Sequence, residues 1–168
     1  MRSLAAFFAE RNPDIFAVCE IDAGDALALA TRFERQWAYR GSQALFWSRR
    51  FSATRVYDEY LPFAAVRPFE RRGLVRVEGE LDGEACTLIT TQLAAEREAR
   101  IPELRTLRKM LRAVENAALL FLHSPIKGRG FSDLKFARAD HPGLGKDAER
   151  VYVKDLPAEK IVFDTLEL

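Results

Sequence analysis

The chain is poor in the residues on which several chemistries depend. Its 168 residues include two histidines and two cysteines, and no Cys/His spacing suits zinc. Cys19 and Cys86 sit in apolar runs, so they read as small buried hydrophobes in a reducing compartment. No apolar run is long enough to span a bilayer. The stretch Leu4 to Ala9 is too short for that, and it lacks a convincing cleavage site, so a cytoplasmic protein without a membrane partner is expected. A formal net charge of +1 argues against binding DNA through overall charge. There are no repeats and no low-complexity segments. No nucleophile elbow of the form Gly-x-Ser-x-Gly occurs. The loop Ser124 to Gly130 lacks the phosphate-loop spacing, leaving Lys127 and Arg129 as solvated basic residues.

What is present is an ordinary soluble composition, 48% apolar and 30% charged, in a length that suits one domain over 1–168. The charge is uneven. Between Thr31 and Arg76, arginines 32, 35, 40, 49, 50, 55, 67, 71, 72 and 76 face only Glu34, Asp58, Glu59 and Glu70. This basic middle third suits a phosphate-containing ligand or nucleic acid, with Arg49, Arg50, Arg71 and Arg72 as candidate contacts.

Periodicity and breakers place the elements. Residues 3–11 read as a helix capped by Ser3 and stopped at Asn12-Pro13. A strand over 14–19, a helix over 25–33 and a strand over 44–48 follow, then strand candidates at 53–58 and 62–69. Asp82-Gly83 predicts a two-residue hairpin turn between strands 74–81 and 85–91. The longest helix spans 95–117, with Ile101, Leu104, Leu107, Leu111 and Val114 as its core stripe; Pro102 favours a start near Ile101. A buried strand at 118–122, a loop over 123–147 with a short helical piece near 132–138, and strands at about 150–154 and 159–166 complete the reading. Runs of strands with interspersed helices predict an α+β or layered α/β domain.

The segment Asn12-Pro13-Asp14-Ile15-Phe16-Ala17-Val18-Cys19-Glu20-Ile21-Asp22 delivers a carboxylate, Glu20, at the end of an apolar strand. It resembles an element of the endonuclease/exonuclease/phosphatase superfamily, the fold of deoxyribonuclease I, with Cys19 where that family usually has Gln. Further elements resemble it in order: Gly41 to Arg49, Arg72 to Leu81, Ile89 to Leu93, and Arg100 to Leu104. The resemblance implies a layered sandwich of two mixed sheets with outer helices. It also implies magnesium held by Glu20, the position matching the family's metal ligand, with Asp22 as an added carboxylate that an extended chain would point the same way.

The departures from the family pattern are equally informative. The family's Asn-Thr-His-Leu stands here as Thr90-Thr91-Gln92-Leu93. Its Gly-Asp-x-Asn motif stands as His123-Ser124-Pro125. Its first-strand Asn and closing Ser-Asp-His motif have no counterpart, which reads as a fold truncated at both ends. The expectation is therefore a degenerate member with weak or no phosphoesterase activity, acting as a binding or interaction module. The alternative is a magnesium-dependent phosphodiesterase or nuclease rebuilt around Glu20, Asp22 and His123, with Thr90 and Gln92 beside them. Strand edges bared by the truncation also predict a homodimer.

Overall fold

The computed structural model describes residues 12–62, 72–123, 137–139, 150–154 and 163–167. Among the described residues, ten strands form two sheets. In chain order they are β1 (Ile15–Cys19), β2 (Gln36–Arg40), β3 (Gln43–Trp47), β4 (Phe51–Tyr60), β5 (Gly73–Leu81), β6 (Glu84–Gln92), β7 (Ala117–His123), β8 (Ala137–Ala139), β9 (Arg150–Lys154) and β10 (Phe163–Glu167). Helix α1 (Ala23–Arg32) follows β1, and helix α2 (Arg97–Ala113) joins β6 to β7. The four-stranded sheet has the order β10-β1-β3-β2, and the six-stranded sheet the order β4-β5-β6-β7-β9-β8.

Strand parity builds four layers. Ile15, Ala17, Leu45 and Trp47 from the smaller sheet meet Phe51, Val75, Val77, Leu88, Leu119 and Phe121 from the larger in one buried cluster between the sheets. The alternate residues Phe16, Val18, Ala44 and Phe46 face outward onto Ala26 and Ala30 of α1. Leu74, Ile89, Ala118, Leu120 and Leu122 face outward onto Leu107 and Leu111 of α2. Because β1, β3 and β7 are covered on both faces, they read as continuous apolar runs. The layered α/β sandwich expected from the sequence is the fold observed.

The Asp82-Gly83 hairpin forms with both residues at positive φ, 52° and 88°, as the turn requires. A second hairpin, β2 to β3, was not expected. Its turn, Gly41-Ser42, has φ values of 50° and 64°, and Trp37 and Tyr39 alternate with buried Ala38. The expected strand at 53–58 is the middle of a longer one. The α2 stripe differs at its first turns: Ile101 is 39% exposed, whereas Glu103 is buried. Helix α2 begins four residues before Ile101, at Arg97, and carries Pro102 internally, so the expected start near Ile101 is too late. Residues 137–138, expected in a helical piece, are in β8.

The structure pairs β10 parallel to β1, with Ile15 opposite Phe163, and β3 antiparallel on the other side. Strand β1 is thus interior. The expected helix 3–11, most of the strand at 62–69, residues 132–136, Lys127, Arg129 and Arg71 lie outside the described residues. Among the described residues, no helix is long and apolar enough to cross a membrane.

Candidate functional site

Inward-facing positions of four strands end at one rim of the sandwich. Cys19 and Gln43 are paired neighbours on β1 and β3. Thr90 and Gln92 continue the inward parity of Cys86 and Leu88 on β6, and His123 continues that of Leu119 and Phe121 on β7. In the parallel β6–β7 register Gln92 lies opposite His123, and the Leu93 N–H donates to the His123 carbonyl at 3.0 Å. The rim gathers most of the residues singled out from the sequence.

Glu20 reaches this rim because the chain turns there. Its φ of +60° ends the extended run, and the Ile21 N–H donates to the Ser42 carbonyl at 3.3 Å, pinning the turn to the β2–β3 hairpin. The same turn corrects the expectation for Asp22. Two residues on from Glu20 is no longer the same side. Asp22 instead caps α1, its Oδ1 accepting from the Asp25 N–H at 2.8 Å, which satisfies one of the helix's free donors.

A chain of side-chain hydrogen bonds crosses between the sheets at the rim. Gln43 Nε2 donates to Gln92 Oε1 at 3.1 Å, and Gln92 Nε2 donates to Glu20 Oε1 at 3.2 Å. Arg72 Nη1 also donates to Gln92 Oε1, at 3.5 Å. Gln43 and Gln92 are 1% and 6% exposed, whereas Glu20 is exposed. The polarity of the Gln92 amide is set by chemistry. An ionised carboxylate can only accept, so the amide must turn its NH2 to Glu20, leaving its oxygen for the donors Gln43 and Arg72. Thr90 lies deeper on the same face and is buried.

Behind the rim, Glu103 of α2 accepts from the Ala94 N–H at 2.7 Å, fixing the backbone that leaves Gln92. Burial pushes the Glu103 carboxyl above its ordinary range, against the opposing pull of the Ala94 N–H, Arg72 and Arg100. Cys86, deeper in the inter-sheet core, is pushed up to about 12 by burial and behaves as an inert apolar residue.

Of these residues, Glu20 is the one whose carboxylate could hold magnesium, and its Oε1 already accepts from the Gln92 amide. Among the described residues no three His, Cys, Asp or Glu side chains gather. Magnesium is held through one or two carboxylates together with phosphate and water oxygens, and takes only oxygen ligands. Here one carboxylate faces an amide NH2, and the amide oxygen faces a guanidinium.

Two of the candidate arginines, Arg50 and Arg72, lie far apart. Arg72 is at the Glu20 rim, while Arg50 is bonded to Asp14 and Asp82 at the start of β1 and the far end of β5. Ten residues of strand separate Arg72 from Asp82, roughly 30 Å at about 3.3 Å per residue. Sequence reasoning missed Gln43. Its signal was available: a polar residue at the inward parity of Leu45 and Trp47.

No family model matches the chain, and no curated protein matches it. Solved structures match over most of its length. D. rerio TDP2 complexed with a single-strand DNA product has a TM-score of 0.67 at 13% identity, over 94% of this chain and 77% of that one. An endonuclease/exonuclease/phosphatase family protein from Bacteroides thetaiotaomicron has a TM-score of 0.71 at 11% identity, over 90% and 73%. The human nocturnin catalytic domain with bound sulfate has a TM-score of 0.65 at 14% identity, over 90% and 72%. With the sandwich, its order of elements and the position of Glu20, these likenesses establish that the chain has the deoxyribonuclease I-like fold of the endonuclease/exonuclease/phosphatase superfamily.

Proposed function

We propose that this protein is a degenerate member of that superfamily, with weak or no phosphoesterase activity, and that it serves as a binding module. The observation that carries the reading is the Gln43–Gln92–Glu20 chain. It ties one oxygen of the Glu20 carboxylate to an amide donor, so part of what a cation would draw on is used inside the protein. Metal-assisted phosphoester cleavage needs a cation to offset phosphate charge and a base to prepare water. Thr90 and Gln92 have no basic side chain. The Glu20 carboxylate without a cation repels a phosphate rather than holding it. Arg72 is the cationic side chain of this rim best placed to meet a phosphate-containing ligand such as a single-stranded nucleic acid. The likeness to TDP2 and to nocturnin, one crystallised with a DNA product and the other with sulfate, supports that ligand class.

Calorimetric titration of magnesium and manganese into the wild type and Glu20→Ala tests the reading. The expected outcome is no binding by either protein. Millimolar or tighter binding that Glu20→Ala abolishes overturns it in favour of a magnesium-dependent phosphodiesterase or nuclease built around Glu20, and phosphodiester hydrolysis would then be expected. For the ligand, a fluorescent single-stranded oligonucleotide is expected to bind the wild type and to lose affinity with Arg72→Ala, with no need of a divalent cation.

A further inference from the structure

Helix α2 carries six basic residues, Arg97, Arg100, Arg105, Arg108, Lys109 and Arg112, against two acids, Glu98 and Glu103. That is a net of +4 in one helix, where the whole chain has +1. One of the two acids is turned inward: Glu103 is buried and accepts from the Ala94 N–H. Helical period sets Arg105, Lys109 and Arg112 in line on the side opposite Glu103, Leu107 and Leu111, and all three are exposed. At about 1.5 Å per residue, Arg105 and Lys109 stand about 6 Å apart along the axis, with Arg112 about 10 Å from Arg105. These cations differ from those of the basic middle third. There Arg40, Arg50 and Arg76 pair with Asp58, Asp82 and Glu78. Among the described residues no acid pairs with Arg105 or Lys109.

We infer that the outer face of α2 carries the phosphate backbone of a single-stranded nucleic acid onward from the rim, with Arg105 and Lys109 as phosphate contacts. This rests on the role proposed for Arg72 at that rim. The path is short. Helix α2 begins five residues after Gln92, to which Arg72 donates. Glu103 holds the Ala94 N–H of the connection, and Arg100 Nη1 donates to the Ala95 carbonyl at 2.6 Å, so the first turn is fixed beside the rim. Regularly spaced cations on a rigid helix suit a polymer of repeating anions, held by its backbone and without base readout. Two other occupants suit the face less well. A helix that lies on a lipid surface offers it a broad apolar face. The apolar stripe of α2 is buried on the sheet, leaving Ile101 as its exposed large apolar side chain. The core of a protein interface is poor in charge and rich in aromatic residues, and α2 contains no aromatic residue.

Binding of a fluorescent oligothymidine of about 16 nucleotides, the long end of single-strand site sizes, tests the inference. It is measured for the wild type, Arg72→Ala and the double variant Arg105→Ala/Lys109→Ala over a salt series. Each lost phosphate contact should reduce the slope of log affinity against log salt by about 0.7. The double variant is expected to lose about 1.4 of slope, and at least about tenfold in affinity at about 50 mM salt. Arg72→Ala is expected to lose about 0.7 of slope. Alanine suits a helix, and thermal melts check that both variants are folded. A double variant with wild-type affinity and slope overturns the inference; if Arg72→Ala still weakens binding, the reading of the rim survives it. The converse, a weakened double variant with Arg72→Ala unchanged, upholds α2 as the phosphate surface and removes the rim from it. No binding by the wild type overturns both. Polyglutamate or phosphatidylserine vesicles that bind through Arg105 and Lys109 more tightly than the oligonucleotide overturn the inference, in favour of an acidic protein or a lipid surface.

Discussion

The two ends of the sandwich are stitched by different chemistry. At the Glu20 rim the sheets are joined through buried amides, Gln43 to Gln92, with the charged groups Glu20 and Arg72 bonded to Gln92. At the opposite end they are joined by ion pairs. Arg50 links Asp14 at the start of β1 to Asp82 in the β5–β6 turn, Ser48 Oγ donates to Asp14 Oδ1 at 3.1 Å, and Arg35 holds Asn12 Oδ1 at 2.7 Å. The Asp82 hydrogen bond pushes the Arg50 guanidinium further up from its ordinary range, outweighing desolvation, so it stays a cation throughout. The exposed end can use charge cheaply because water solvates whatever is left unpaired. The rim cannot, since an uncompensated buried charge is costly. Neutral amides at Gln43 and Gln92 join the sheets at that rim without burying a charge.

The contrast predicts unequal sensitivity to change. The largest effect is expected at Gly73, which begins β5 beside the rim. A Cβ there would lie 1.8 Å from the Arg40 carbonyl oxygen, so Gly73→Ala must move backbone and should cost about 3 kcal/mol or more in chemical denaturation. Next comes Gln92→Ala, which leaves the buried Gln43 amide without its acceptor; a loss of about 2 kcal/mol is expected in the same experiment.

Glu103 gives a smaller, pH-dependent effect. Burial raises its folded pKa, so over a window above the ordinary glutamate range the folded chain keeps a proton that the unfolded chain has lost. Stability should therefore fall as pH rises from the unfolded value through the folded one. Glu103→Gln should remove that slope in melts between about pH 4 and 7, starting from the ordinary value near 4.3. The smallest effect belongs to the far end. Arg50→Ala should cost only about 0.5 kcal/mol and less in high salt, as exposed ion pairs do. If it costs as much as Gln92→Ala, the two ends are energetically alike and the distinction between them fails.

Much of this was legible in the chain. Glu20 stood out because an acid ends an apolar strand, and Thr90, Gln92 and His123 because they replace expected polar positions in a recognisable order. The Asp82-Gly83 turn was readable because two adjacent residues tolerating positive φ between strands have few other uses. The β2–β3 hairpin was passed over because Gly41-Ser42 lacks that strong signature. Ile101 was misplaced because helical period identifies a face but not where the sheet beneath it ends; α2 overhangs there, and the buried position goes to Glu103, which serves a loop N–H.

The sequence by itself determined the layers, since apolar parity over β1, β3, β6 and β7 requires cover on both faces. It also named most rim residues. Only the tertiary structure decided what they do together. Glu20 turns at positive φ, so Asp22 becomes a helix cap rather than a second carboxylate beside it. Gln43 and Gln92, 49 residues apart, meet across the sheets. Of the arginines proposed for phosphate, Arg50 and Arg72 sit near opposite ends of β5. Hydrogen-bond partners between distant strands depend on register and on which way a chain turns at its end, and neither is encoded in local periodicity.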